Sequence, residues 1–180
     1  FNPKQGVYKS LQSDKFIFCE GFRVKDNPYF MSLPLSPTKG EVITIRIPSL
    51  KYFDKIISKG VYILPLGNHF YKVGATYNHT DLTDEPTTDG QSFLRDKISD
   101  ILTVEYKVVS SVAGVRPTVK DRKTLIGLHP KYHKIGVFNG LGTRGALQGP
   151  LLSAEFCAVL VGNQKNTQNI DNQRFTRFFT

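Results

Sequence analysis

The sequence predicts an α+β fold, in which a mixed, largely antiparallel β-sheet carries helices packed on one face. Short β-rich segments and fewer helical segments alternate along the 180 residues. Neighbouring strands are separated by connections short enough for hairpins, which favours antiparallel pairing. Hydrophobic residues form 39% of the chain and aromatic residues 12%, which is enough to fill a core.

The predicted strands are apolar or alternating segments bounded by turn residues. They comprise residues 7–11, 16–19, 41–47, 62–65, 70–77, 103–111 and 135–139. Segment 16–19 is wholly apolar, as expected of a buried strand. In segment 41–47, isoleucines alternate with polar residues, so that they share one face. Gly67 and Asn68 predict a hairpin turn.

Apolar residues at helical spacing predict helices over residues 49–58, 88–102 and 150–161. Thr88 and Gln91 have the spacing of a capping box. Pro150 suits the first turn of the last helix, where a backbone N–H is not needed.

The net charge is +9, from 24 Lys and Arg against 15 Asp and Glu. A basic chain favours an anionic partner: a nucleic acid, an anionic cofactor or a carboxylate substrate. The positive residues form no block of five or six like charges, so a solvated basic surface remains the alternative.

The two cysteines, Cys19 and Cys157, are too few for a disulfide framework or a zinc site, and we expect no metal. Cys157 falls within an apolar helix and is predicted to be a buried thiol. The histidines are predicted at surface or loop positions: His69, His79, His129 and His133.

No apolar run approaches the ~20 residues of a membrane helix, and no signal-peptide pattern is visible. We therefore expect a cytoplasmic protein. The chain starts with Phe1 and its single methionine is Met31, so we expect it to be a piece of a longer protein.

A glycine-rich turn over residues 140–145 (GLGTRG) matches G-x-G-x-x-G between a predicted strand and a predicted helix. Glycines let backbone N–H groups approach a ligand, and a helix N-terminus attracts anions. A complete dinucleotide-binding unit does not fit, because the following strand and an acidic residue ~20 positions later are missing. A ligand site and a plain strand-to-helix turn therefore remain equal alternatives.

Arg116 and Tyr62 are candidate substrate residues. Pro117 keeps Arg116 extended at a strand end, where a fixed guanidinium can hold a carboxylate. From the residues alone, a surface arginine and a core aromatic residue are the simpler interpretations.

Five segments in order resemble the FAD-dependent amine and amino-acid oxidases, the family of D-amino-acid oxidase, glycine oxidase and sarcosine oxidase. They lie within residues 16–21, 27–41, 61–77, 114–127 and 139–151. The resemblance implies the C-terminal, substrate-binding part of such an enzyme. It divides the chain into a remnant of the FAD-binding domain (1–26), a substrate-binding sheet domain (27–112) and a flavin-contacting segment with the last helix (113–180).

The resemblance also implies residue roles. Arg116 would pair with the substrate carboxylate, and Tyr62 would donate a hydrogen bond to it. FAD would be bound non-covalently, because residues 110–112 (SSV) lack the cysteine that attaches it in some members. The residues implied to contact FAD are Gly21, Gly140, Gly142, Thr143, Arg144, Gly145 and Ala146.

The implied reaction oxidises the C–N bond of a small amino acid or amine by hydride transfer to flavin. We expect the isolated chain to be inactive and to bind FAD weakly at best. Its expected partner, the FAD-binding domain, would supply the half of the site that holds the ADP part of FAD. Residues 142–145, followed by Pro150 and Leu151, are also similar to the flavin oxidase half of a tRNA wobble-uridine modification enzyme. The net charge fits this less favoured RNA partner, although no base-stacking motif is visible. A third interpretation is that the piece folds but binds nothing.

Overall fold

The computed structural model describes residues 2, 5–51, 53–162 and 176–179. Two compact units are present: unit one comprises Phe1–Pro37 with Arg116–Thr180, and unit two comprises Thr38–Val115. Both combine strands with a helix, so the predicted α+β class is confirmed. The three functional segments predicted from the sequence stay a prediction.

Unit two is built on a five-stranded sheet with the strand order β5-β6-β7-β4-β8. Its strands are β4 (Thr38–Arg46), β5 (Ile57–Lys59), β6 (Val61–Gly67), β7 (Phe70–Gly74) and β8 (Lys107–Arg116). The β4–β7, β6–β7 and β5–β6 pairs are antiparallel. Asn68 and His69 both have positive φ, so the hairpin between β6 and β7 turns one residue later than predicted.

One face of this sheet packs against α1 (Thr88–Ser99). The core between them consists of alternate strand residues and two helix residues: Ile43, Ile45, Ile47, Val61, Ile63, Tyr71, Val73, Leu94 and Ile98. The N-cap of α1 is Thr87, whose side chain accepts a hydrogen bond from the Gly90 N–H. The predicted helix is therefore confirmed, and its cap lies one residue before Thr88.

A buried charged network joins β4 to the segment before α1. Lys39 is fully buried, and its Nζ donates to Asp81 Oδ2 at 2.5 Å, Thr83 Oγ1 at 3.1 Å and the Glu85 carbonyl at 2.5 Å. The hydrogen bond from Lys39 lowers the pKa of Asp81 to about 2. Because its donors are paired, Lys39 is tolerated inside the unit.

Unit one contains the two-stranded β1 (Val7–Tyr8) and β2 (Leu11–Gln12) and a three-stranded sheet with the order β3-β10-β9. The strands of the second sheet are β3 (Phe16–Phe18), β9 (Leu125–Leu128) and β10 (Ile135–Asn139). Strand β10 is parallel to β3 and antiparallel to β9. The last helix is α2 (Gly145–Leu160), of which Leu152 and Phe156 are buried.

Several predicted elements differ from the structure. The strand predicted over 7–11 is two short strands, Val7–Tyr8 and Leu11–Gln12, that pair with each other. The described residues of segment 49–58 form no helix, and its end enters the sheet, where Ile57 pairs with Ile63. The strand predicted over 103–111 begins later, at Lys107, and continues to Arg116. Helix α2 begins five residues before the predicted start, so that Pro150 lies inside it.

The prediction that Cys157 of helix α2 is buried is wrong, because this residue is exposed. The helix is apolar on all sides, but only the Leu152 and Phe156 side is buried among the described residues. Near the end of the chain, Phe178 and Phe179 pack against the unit-one core.

His129 lies in the loop after β9, one of the two predicted kinds of position, but it is buried and not at the surface. Only 4% of it is exposed, and its ring lies against the rings of Phe30, Tyr132 and Phe179. Its Nδ1 accepts hydrogen bonds from the backbone N–H groups of Lys131 and Tyr132. Burial, and then the positive charge of Lys131, lowers the pKa of His129 from its ordinary value.

Unit one should therefore lose stability as the pH falls below about 6.5, where an unfolded histidine takes up a proton that the folded state resists. His129→Asn keeps a side-chain acceptor but cannot titrate, so its stability should change less between pH 7.5 and 5.5. His129→Phe keeps a ring but leaves two N–H groups unpaired, which should cost about 1–3 kcal/mol at both pH values. Urea unfolding at the two pH values measures this, and equal pH dependence of the wild type and His129→Asn would contradict it.

Candidate functional site

The carboxyl ends of β3 and β10 meet at one edge of the unit-one sheet. The strands are parallel, with Phe18 opposite Val137, so the segments that follow them lie side by side. Asn139, which is 2% exposed, donates from Nδ2 to the Gly21 carbonyl at 2.7 Å and accepts from the Gly140 N–H at 2.8 Å. One side chain thus holds together two of the predicted ligand-contacting turns.

The glycines at this edge are required by backbone conformation. Gly21, Gly140 and Gly142 have φ values of +59°, +74° and +54°. A Cβ on Gly140 would stand 2.8 Å from the backbone nitrogen of Leu125. Gly21 has no heavy atom within 4 Å of such a Cβ, so the space beside it is open. The turn can therefore approach a ligand closely with its main chain.

The first turn of α2 lies directly after these glycines. A 3-10 turn over Gly142–Arg144 leads into the helix, and the side chain of its N-cap, Arg144, makes no capping hydrogen bond. Thr143 and Ala146 are exposed. The exposed helix start offers N–H groups and partial positive charge to an electron-rich ligand.

The guanidinium of Arg144 is held by the protein, because its Nη2 donates to the Arg122 carbonyl at 3.1 Å. This bond ties the glycine turn to the segment after β8. The backbone of the turn, rather than the Arg144 side chain, is therefore the better-placed ligand contact.

The arginine-proline segment also adjoins the glycine turn. Arg116 is half-buried at the end of β8, and its carbonyl accepts a hydrogen bond from the Thr118 N–H at 2.9 Å. A Cβ on Gly142 would stand 3.2 Å from Thr118 Cγ2. Thr118, two residues after Arg116, therefore lies next to Gly142 of the glycine turn.

An open groove of about 470 Å³ lies beside Gly21. It is lined by Phe18, Glu20, Arg23, Asp26, Asn27, Pro28 and Tyr29. Asn27 is buried, and its Nδ2 donates to Glu20 Oε2 at 2.8 Å. The groove gives the end of β3 room for a ligand with both polar and aromatic surfaces.

Tyr62 lies on the face of the unit-two sheet opposite α1, because Val61 and Ile63 on either side of it belong to the core facing the helix. It pairs with Gly74, and a Cβ at Gly74 would stand 3.0 Å from the Tyr62 hydroxyl. Tyr62 is thus outside the α1 core, and the glycine makes space for its ring. Its convergence with Arg116 on one substrate stays a prediction.

Sequence reasoning missed Asn139, which bonds to the glycine turn, and Thr118, which lies against Gly142. A polar residue at the end of an apolar strand, directly before a glycine, was the available signal for Asn139. Within the described residues, no three His, Cys, Asp or Glu side chains are grouped to hold a metal ion. No helix in that part of the chain is long and apolar enough to cross a bilayer.

The chain is similar in sequence to known proteins. The sequence matches the family described as FAD dependent oxidoreductase over residues 4–158. It is 25% identical over 144 residues to glycine oxidase of Pseudomonas aeruginosa, which covers 78% of this chain and 40% of the relative. It is 28% identical over 120 residues to the tRNA 5-methylaminomethyl-2-thiouridine biosynthesis bifunctional protein MnmC of Campylobacter concisus, covering 66% of this chain and 19% of that protein.

Solved structures share the fold. Glycine oxidase from Bacillus cereus has a TM-score of 0.78 at 20% identity, covering 88% of this chain and 45% of that one. Iminodiacetate oxidase from Chelativorans has a TM-score of 0.77 at 21% identity, covering 87% and 45%. The chain therefore spans less than half the length of these relatives.

Proposed function

The chain belongs to the family of FAD dependent oxidoreductases, matched over residues 4–158, and on this premise we propose that it is the substrate-binding part of an enzyme that oxidises the C–N bond of a small amino acid or amine. The observation that carries the proposal is the Asn139 side chain, which joins the Gly21 and Gly140 turns at 2.7 and 2.8 Å. These turns occupy the carboxyl ends of neighbouring parallel strands, where α/β folds bind ligands.

The residues at this edge fit FAD. Positive φ angles at Gly21 and Gly142, the open space beside Gly21 and the exposed start of α2 form a main-chain surface for an electron-rich ring. Gly140, Gly142, Thr143, Gly145 and Ala146 would supply that surface, with Arg144 contributing its backbone. FAD, when bound, supplies the acceptor for the hydride. The chain's part is to hold the ring and favour negative charge beside the helix start.

Arg116 and Tyr62 would orient the substrate. A guanidinium at a strand end can pair with the carboxylate of an amino acid through two hydrogen bonds. The Tyr62 hydroxyl would donate a third. Orientation lowers the barrier by fixing the reacting carbon, and no acid–base side chain of this chain is needed for the hydride step.

The role of the glycine backbone can be tested by substitution. Gly142→Val places a β-branched residue at φ +54°, against Thr118. A strain of about 1–2 kcal/mol should weaken FAD binding by roughly tenfold in the full-length protein. Arg144→Ala should weaken it less, because that side chain bonds to the Arg122 carbonyl.

Flavin fluorescence quenching measures the dissociation constant. Gly149→Ala, in the following helix α2 with open space around its Cβ position, is the glycine control. Loss of FAD with Arg144→Ala but not with Gly142→Val would reverse the assigned roles.

The substrate assignment is tested with Arg116→Ala in the FAD-loaded, full-length protein. Loss of a charge-assisted bond costs about 1.5–3 kcal/mol, so the KM for a carboxylate-bearing amine should rise roughly 10- to 100-fold. A neutral amine of the same size should be affected little. Steady-state oxidation rates decide this, and an equal loss for both amines would assign Arg116 to the fold or to the cofactor.

A second candidate is oxidation of an amine attached to tRNA. The observations that favour it are the similarity to the MnmC protein and the net charge of +9. If it is correct, tRNA should bind and its affinity should fall steeply between 50 and 200 mM salt, because phosphate contacts release counterions. Filter binding at several salt concentrations tests this, and salt-independent or undetectable binding would rule it out.

A further inference from the structure

The sheet face opposite α1 carries positive charge without a carboxylate on its three central strands. Alternation from the core residues places Thr44 and Arg46 of β4, Leu64 of β6 and Lys72 of β7 on this face. The acidic residue of these strands, Glu41, lies on the other face and accepts hydrogen bonds from Thr87.

Lys72 occupies an unusual place for a lysine. It lies on β7, the middle strand of the five, directly between Leu64 and Thr44. Lysine is poorly suited to strands and is typically used at sheet edges. Lys72 is nevertheless half-buried, and its side chain makes no hydrogen bond or ion pair with any other described residue.

Lys39 is a buried lysine of the same unit whose charge is satisfied within the protein. Its ammonium group is paired with Asp81, Thr83 and Glu85. Lys72, in the same sheet, lacks such partners among the described residues. The ammonium group of this half-buried residue can therefore pair with an anion from outside.

Lys72 is also the diagonal neighbour of Tyr62. Tyr62 pairs with Gly74, two residues after Lys72 on the same strand. Diagonal neighbours on one sheet face stand about 7–8 Å apart. A small molecule held by the Tyr62 hydroxyl is thus within reach of the Lys72 side chain.

We propose that Lys72 binds a second carboxylate of the substrate, so that it determines specificity for amines carrying two carboxylates. This inference rests on the proposed function, because it takes Tyr62 as a substrate contact. Arg46 lies farther along the same face, with its guanidinium over the Phe70 ring at 5.9 Å. It adds positive potential that steers a dianion towards the face.

The test compares N-methylglycine with N-(carboxymethyl)glycine, two secondary amines that differ by one carboxylate, in the FAD-loaded, full-length protein. Lys72→Gln should lower kcat/KM for the dicarboxylate at least about tenfold, through KM, because a charge-assisted bond is lost. It should change kcat/KM for the monocarboxylate by less than about twofold. Lys72→Arg should restore most of the preference.

Lys107→Gln is the matched control, because it removes one positive charge from an exposed position on β8 of the same sheet. Isothermal titration of the dicarboxylate into the FAD-free protein adds a measurement without turnover. Lys72→Gln, but not Lys107→Gln, should weaken this binding.

Equal losses for both amines, or none, with wild-type oxidation intact would overturn the role of Lys72 and leave the proposed function standing. Oxidation of neither amine by the wild type, with titration still dependent on Lys72, would count against the proposed function and not against the carboxylate site. Dependence on Lys72 seen only with an RNA oligonucleotide would overturn the carboxylate assignment.

Discussion

The two hydrogen bonds of the Asn139 side chain are the constraint on which the edge of unit one at the ends of β3 and β10 depends. They connect the Gly21 carbonyl with the Gly140 N–H, and so join the ends of two parallel strands. Because Asn139 is almost fully buried, losing either bond would leave a polar group unpaired in the interior. The glycine turn is therefore fixed in a conformation that glycine allows and most residues do not.

Unit two achieves its order differently, through one sheet with two unlike faces. The face towards α1 consists of isoleucine, valine and tyrosine residues. Two buried charged residues of β4 lie on the same face: Lys39 is bonded to Asp81, and Glu41 is bonded to Thr87. The opposite face carries Tyr62 and Lys72. A rigid, well-packed face behind the strands is what allows side chains on the other face to hold a precise geometry.

The sequence predicted the parts of this structure that local chemistry determines. The β6–β7 hairpin, α1 and β10 follow from turn residues, capping and alternation, and the glycine turn was recognised from its spacing. Residues 49–58 were misassigned because the apolar spacing suggested a helix, whereas Ile57 enters a hairpin and pairs with Ile63. Burial of His129 and exposure of Cys157 depend on which surfaces meet, which neither residue's neighbours in sequence reveal. Only the resemblance to a family predicts roles for Arg116 and Tyr62, which their local sequence does not distinguish from ordinary residues.

Net charge alone says little about which anion a basic protein binds. It is more informative to ask which of its lysine and arginine side chains are already bonded within the protein. The +9 charge is spread along the chain, and Lys39 is already neutralised by Asp81 and lies inside the unit. Arg144 is held by a backbone carbonyl. Lys72 differs from both, because its side chain has no hydrogen-bond or ion-pair partner among the described residues and is a diagonal neighbour of Tyr62 on one sheet face. A lysine fixed on a sheet face can select an anion by geometry, whereas exposed lysines contribute only a long-range field that salt screens.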